Sequence, residues 1–328
     1  MKKAALTTAI LSALVTAPSF AATVYSNDGT ELKVGGRVEF RGDFIGSGGE
    51  EVEGSMKDKS RARVNLKGKT DIGNGLSAFG VYEAEQDTGS SEFENRYMYA
   101  GVDSNAGAFS VGRQDMAAVI ISDMTDITEF SGVQQVIDSS SDKQDSVFAY
   151  RGEFDALQLQ ATYQANSGDD QDKYGISGMY SLPMGLDLGL AYSGGDVDSS
   201  QDQDQILGGI AYSLDNLYLA ATYSQGSDYD SDDSVEFDFT AYELVASYKV
   251  ASKVTIAGLY TYQENDPDGA SKYDATDGIE LVGYYKLNSN FRTYLSYYFN
   301  QLDEEKDQQT GLVTEGEDTL RLGVRYDF

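Results

Sequence analysis

Polar and apolar residues alternate one for one along most of this 328-residue chain. The last nine residues show the pattern most plainly. Leu320, Leu322, Val324, Tyr326 and Phe328 hold one phase; Arg321, Gly323, Arg325 and Asp327 hold the other. Successive side chains of a strand point to opposite faces, so this segment has one apolar face ending in an aromatic ring and one charged face. Sixteen such segments follow one another, near 32–40, 61–67, 76–85, 95–102, 108–113, 146–151, 157–164, 174–182, 186–193, 205–213, 217–224, 240–250, 254–262, 279–285, 291–299 and 320–328. Allowing for blurred ends, each approaches the roughly 9–11 residues with which a tilted strand crosses a bilayer. The even number suits a single-chain outer-membrane barrel, apolar toward lipid and polar toward a wet lumen.

The connections alternate in length. Short ones rich in Gly, Asn, Asp and Ser fall at 71–75, 103–107, 152–155, 183–185, 214–216, 251–253 and 288–290, as tight hairpins require. Long ones fall between them, the longest over 114–144. Short turns at one end and long loops at the other are the habit of membrane barrels; a soluble sandwich has no cause to keep it up over sixteen strands. Tyr163, Tyr180, Tyr192, Tyr212, Tyr223, Tyr248, Tyr262, Tyr326 and Phe328 cluster at strand ends, where amphipathic rings suit the headgroup level.

The N-terminus supplies the route. Met1-Lys2-Lys3 is basic, residues 4–17 are apolar or small, and Ser19-Phe20-Ala21 fits a cleavage site. A secretory leader of residues 1–21 is expected, with the mature barrel over 22–328. Composition removes whole classes of chemistry. The chain has neither Cys nor His, which excludes disulfides, thiol nucleophiles, His-based zinc sites and the Ser-His-Asp triad. No enzyme activity, cofactor or metal site is expected. A formal charge of −30 argues against a nucleic-acid partner. Acidic loops such as Glu50-Glu51, Asp169-Asp170 and Asp266 with Asp268 read as a solvated surface that attracts cations to the mouth.

A sixteen-strand barrel leaves an aqueous channel unless something narrows it. The 114–144 loop is the candidate, because its middle is too apolar for an exposed loop: Met116, Val119, Ile120, Ile121, Met124, Ile127 and Phe130. It also carries Asp123, Asp126 and Glu129, the last two spaced to share one side of any helical turn. Arg37, Arg63 and Arg96 fall on the lumen phase of their strands, and Lys143 lies just before the sixth. Opposed acidic and basic groups would set a field across the lumen. Arg321 and Arg325 point inward too, and are expected away from this cluster.

Several segments, in order, resemble the trimeric general porins of Gram-negative outer membranes. They are Ala22-Thr23-Val24-Tyr25-Ser26-Asn27-Asp28-Gly29, Leu32-Lys33-Val34-Gly35-Gly36-Arg37, Ala62-Arg63-Val64-Asn65-Leu66-Lys67-Gly68, Asn95-Arg96-Tyr97-Met98-Tyr99-Ala100-Gly101, Gly112-Arg113-Gln114, Asp145-Ser146-Val147-Phe148-Ala149-Tyr150-Arg151 and the terminal Phe328. Thr128-Glu129-Phe130-Ser131-Gly132 is similar to the family's Pro-Glu-Phe-Gly-Gly loop tip, with Thr128 in place of the proline. The second loop is short, so the latch some relatives use between subunits would be reduced. The strong negative charge and brief loops lean toward the marine and vibrio, OmpU-like type.

The resemblance implies a pore constriction with a basic side at Arg37, Arg63, Arg96, Arg113 and Lys143 and an acidic side at Asp123, Asp126 and Glu129. It implies a homotrimer in outer-membrane lipid and lipopolysaccharide, inserted by the barrel-assembly machinery with Phe328 as part of the insertion signal. The function implied is passive diffusion of small hydrophilic solutes and ions, with weak cation selectivity. Two other channel or surface roles compete with it. A substrate-specific sugar channel would want more strands and an aromatic slide down the lumen, whereas the aromatics here fall mostly on the outward phase. An adhesin or phage-receptor role is compatible with the same barrel.

Overall fold

A computed structural model describes residues 21–166, 171–230, 235–302, 305–306, 313–314 and 316–328. Residues 1–20 of the expected leader and the acidic pair Asp169-Asp170 lie outside the described residues. Sixteen strands build the wall: β2 Thr30–Ser47, β5 Arg61–Gly73, β6 Leu76–Asp87, β7 Glu94–Ser104, β8 Gly107–Gln114, β9 Gln144–Phe154, β10 Leu157–Gln164, β11 Lys173–Leu182, β12 Leu186–Asp196, β13 Asp202–Leu214, β14 Leu217–Asp230, β15 Val235–Ala251, β16 Val254–Pro267, β17 Tyr273–Lys286, β18 Phe291–Asn300 and β21 Thr319–Asp327. Short pieces complete the numbering: β1 Ala22–Asn27, β3 Glu50–Glu51, β4 Lys57–Asp58, β19 Glu305–Lys306 and β20 Val313–Thr314.

Each wall strand pairs antiparallel with its neighbour in sequence. The cylinder closes where β2 meets β21, from Arg37 opposite Asp327 to Ile45 opposite Thr319. Beyond that point the same edge of β2 is taken by β1, from Ala22 opposite Val34 to Asn27 opposite Thr30. Alternation does not reveal β1, which is exposed along its whole length. The two chain ends therefore share one strand position. Phe328 completes it: its N–H donates to Gly36 O at 3.0 Å, and its own carbonyl accepts from Gly36 N–H at 2.9 Å. Closure leaves no unpaired edge, as a lipid environment demands.

The two faces divide as the alternation predicts. Leu66, Met98, Ile176, Leu190, Leu244, Leu281 and Leu295 are exposed outward; so are Tyr163, Tyr180, Tyr192, Tyr223, Tyr248, Tyr326 and Phe328 near strand ends. Glu39, Asp43, Asn65, Thr162, Gln205, Glu243 and Glu280 are buried on the inner face. Several strands outrun the alternating segments at the long-loop end. β14 continues to Asp230 and β16 to Pro267, with the ladder intact from Gln225 opposite Thr240 to Asp230 opposite Val235. The hydrogen-bond ladder there persists after the two-residue period of polar and apolar residues has stopped.

Candidate functional site

The long third loop lies against the inside of the wall. One helical turn, α1 (Val119–Ser122), follows its entry. Ile121 and Met124 are fully buried, together with Leu207, Ala211, Tyr218, Val245 and Leu259 of β13–β16. Those strands thus carry apolar residues on both faces where the loop covers them. Two glycines admit it: a Cβ on Gly189 would stand 2.4 Å from Ile121 Cδ1, and one on Gly209 would stand 2.7 Å from Met124 Sδ. Burying each large side chain contributes roughly 1.5–3 kcal/mol.

Polar contacts fix the loop's course. Ala117 N–H donates to Thr162 Oγ1 at 3.0 Å, and Tyr218 O–H to Met124 O at 2.7 Å. Glu243 Oε1 accepts from Gly132 N–H at 2.7 Å and Val133 N–H at 3.1 Å, while its Oε2 accepts from Thr125 Oγ1 at 2.7 Å. Glu280 Oε2 accepts from Phe130 N–H at 3.0 Å and Glu129 N–H at 3.2 Å. Two wall carboxylates thus seat the tip by its backbone. Gly132 turns there at φ +120°, a conformation that strains any residue with a Cβ.

The acidic side of the constriction is expected on the loop alone, at Asp123, Asp126 and Glu129. The structure puts carboxylates on the wall as well, among the arginines. Arg63 lies 3.3 Å from Glu83, and its Nε donates to Glu85 at 2.8 Å. Arg96 reaches Glu83 at 2.9 Å and Glu85 at 3.1 Å. Arg61 bonds Glu39 at 2.8 Å, and Arg37 stands 3.7 Å from Glu85. Register explains the ladder: Arg37 faces Arg63, Arg63 faces Glu85, and Asn65 faces Glu83. Arg96 is the extra residue of a bulge, because Glu83 pairs with Tyr97 while Ala84 pairs with Asn95. A bulge of this kind re-aims a side chain.

The remaining predicted residues divide between the tip, the loop root and the outer rim. Glu129 stands 3.8 Å from Arg41 and accepts from Tyr284 O–H at 3.3 Å. Its backbone carbonyl accepts from Arg41 at 3.3 Å and Arg321 at 3.0 Å. Arg321 therefore belongs to the tip region, contrary to the expectation that it lies apart; it also caps the Phe130 ring at 4.1 Å and bonds Asp43. No helical turn joins Asp126 to Glu129, because helix ends at Ser122. Asp126 accepts from Ser131 Oγ at 2.5 Å. Among the described residues, neither Asp123 nor Asp126 makes an ion pair. Burial and then the neighbouring Asp126 carboxylate push the Asp123 carboxyl well above its usual range. Burial, partly opposed by the Ser131 hydroxyl, also raises that of Asp126. Lys143 sits at the loop root, ion-paired to Asp142 at 2.5 Å. Arg113 stands outside the ladder: its register partner is the outward-facing Met98, and it bonds Asn95 O at 2.7 Å and Asp145 at 2.9 Å.

Comparison with known proteins agrees with this architecture. A family model described as Gram-negative porin matches residues 5–305. Outer membrane protein U of Vibrio vulnificus is 33% identical, and porin-like protein L of Photobacterium profundum 31%, each match covering all of both chains. Among solved structures, Salmonella typhi OmpF in complex with daunomycin superposes with a TM-score of 0.79 at 21% identity, over 94% of this chain and 100% of that one. The trimer form of Vibrio cholerae OmpT superposes at 0.73 and 16% identity, over 92% of this chain and 100% of that one.

Proposed function

The chain belongs to the Gram-negative porin family, and from that premise we propose that its channel is a general one, weakly selective for cations. It is an outer-membrane β-barrel channel and not an enzyme. The charge balance of the inner wall carries the selectivity reading. Arg37, Arg61, Arg63 and Arg96 face only the three carboxylates of Glu39, Glu83 and Glu85, which leaves one positive charge over, whereas Asp123 and Asp126 bring two carboxylates that make no ion pair among the described residues. With both aspartates ionised, the balance beside the solute path is therefore negative by one charge. It raises the local concentration of cations and lowers that of anions. The constriction in this reading is formed by Arg37, Arg63 and Arg96 on one side and Asp123, Asp126 and Glu129 on the other, with Lys143 at the loop root and Arg113 at the rim.

The assembly in this reading is a homotrimer in lipopolysaccharide-bearing lipid. The shallow apolar groove on the outward face of β5–β8, lined by Leu66, Gly68, Gly80, Tyr82, Met98 and Val111, suits a second copy. Phe328 would serve the assembly machinery before closure, because in the finished barrel its backbone is bonded to Gly36. Recording in planar bilayers tests the whole reading. Conductance in three coupled steps, with a reversal potential favouring potassium over chloride, is the expected result; an anion preference overturns the selectivity.

Replacing Asp126 and Glu129 with asparagine and glutamine should move the reversal potential toward chloride. An unchanged potential would place both outside the ion path. The pH dependence has a definite sign. A carboxylate whose pKa is raised takes up its proton at higher pH than an ordinary Asp near 3.9, and the arginines stay charged. Cation preference should therefore fall as pH is lowered, beginning above the ordinary Asp range. A profile flat down to about pH 4 contradicts this assignment.

A further inference from the structure

Three inward positions on neighbouring strands break the polar rule of the lumen. Phe79 of β6 and Tyr97 and Tyr99 of β7 share the phase of Glu83 and Glu85, as Glu83 pairs with Tyr97, Val81 with Tyr99 and Phe79 with Gly101. Tyr97 is hydrogen-bonded to Asp115 at the root of the third loop, but among the described residues no apolar cluster joins that loop to Phe79 or Tyr99, so loop packing does not account for those two rings as it does for Leu207 and Val245. The rings form a row, with centroids 6.3 Å apart from Phe79 to Tyr99 and 6.5 Å from Tyr99 to Tyr97, each pair edge to face. All three are partly exposed. A Cβ on Gly101 would stand 2.7 Å from Phe79 Cζ, so that ring lies across glycine backbone instead of projecting into the channel. The row starts beside the arginine ladder at Tyr97 and descends toward the short turns that follow Ser104 and precede Leu76.

A basic group accompanies it. On the same face, Lys67 pairs in register with Val81 on one side and with Lys33 on the other. Lys33 is matched by Glu31 at 3.3 Å and Lys69 by Asp103 at 2.8 Å. Lys67 is exposed and has no ion-pair partner among the described residues. It stands two strands from Tyr99, about 10 Å at ordinary strand spacing. A flat ring resting on Tyr99 or Phe79 could place an attached carboxylate within reach of the Lys67 ammonium.

We propose that this face of the lumen is a binding strip for aromatic organic anions, which combine a planar apolar ring with a carboxylate. The ring stacks on the aromatic row; the carboxylate meets Lys67. The proposal rests on the channel reading and adds a solute class to a pore otherwise selective only by size and charge.

Single-channel recording with benzoate tests it, with acetate and benzyl alcohol as the charge-only and ring-only controls. Benzoate should interrupt the current in a concentration-dependent way, more often when added at the short-turn side, and should exceed both controls. Tyr99→Ala should weaken the block about tenfold, the change expected for loss of one ring contact. Lys67→Gln, at an exposed position that folding does not need, should weaken it for benzoate and leave benzyl alcohol unaffected. Equal block by acetate, equal block by benzyl alcohol, or block unchanged in both variants overturns the strip while the open-channel current still reports a working pore. Saturation-transfer NMR on the detergent-solubilised protein reads ring contact without conductance. Absence of transfer from protein to benzoate overturns the strip independently of the channel reading.

Discussion

Replacing Glu83 and Glu85 together by glutamine turns the channel toward anions, by the largest shift expected of any pair of substitutions here. The two carboxylates hold contacts to Arg37, Arg61, Arg63 and Arg96 at 2.5–4.0 Å. Glutamine keeps the shape and can still accept a hydrogen bond, but the negative charge is gone. Only Glu39 then remains against these four guanidiniums, through Arg61. Arginine cannot relax by losing its proton at working pH, so the released charge acts on passing ions. Focused fields in clefts change local counter-ion concentration by tenfold or more; the potassium-to-chloride permeability ratio should fall by about that order. Breaking a dry buried pair would cost about 3–5 kcal/mol. Here the side chains are 11–19% exposed for Glu83, Glu85, Arg63 and Arg96, and lumen water limits the loss. The barrel should still migrate as a folded species on unheated gels. A reversal potential within error of the parent would mean that the ladder is electrically silent.

That prediction could not have been made from the sequence, although its residues lie in plain view. Alternation alone puts Arg37, Arg63 and Arg96 inward, and it puts Glu83 and Glu85 on an inward phase as well. Which charges cancel depends on register, and a slip of two residues would pair Arg63 with Glu83 instead of Glu85. The bulge at Arg96 has no sequence signature. The wall strands themselves were legible because lipid outside and water inside impose a two-residue period across the bilayer. Legibility failed wherever a different neighbour replaced lipid or lumen water. Leu207, Val245 and Leu259 blur the period because the loop covers them, and Gln225 to Asp230 blur it because polar residues occupy both phases. The inward position of Phe79, Tyr97 and Tyr99 was readable from phase, but it was masked by the greater number of outward aromatics. Alternation alone puts Arg321 inward; its contact with the loop tip joins the last strand to a segment nearly two hundred positions earlier in the chain, a juxtaposition that only closure of the cylinder creates.

Removing the seat of that tip should give the second large effect. Glu243→Ala with Glu280→Ala strips the backbone N–H groups of Glu129, Phe130, Gly132 and Val133 of their carboxylate partners. It also strips Thr125 and Ser296 of theirs. A hydrogen bond to a charged group contributes about 1.5–3 kcal/mol, so several lost together outweigh the holds that remain on the tip itself, chiefly Arg41 and Arg321 on the Glu129 carbonyl. The base of the loop stays fixed, because Ile121 and Met124 remain packed under Tyr218, Leu207 and Leu259. The expected phenotype is therefore local. Conductance rises, open-channel noise increases, and a protease cuts between Asp126 and Gly132 in a barrel that is otherwise intact. Selectivity should weaken in the same variant, because Glu129 leaves Arg41 and the opposed charges separate. Ser296→Ala offers the internal comparison: it removes one donor to Glu280 at 2.6 Å and leaves every backbone contact of the tip in place, so its conductance should match the parent. If the double variant conducts with unchanged amplitude and noise, the two carboxylates do not hold the tip, and the apolar base of the loop alone sets the width of the channel.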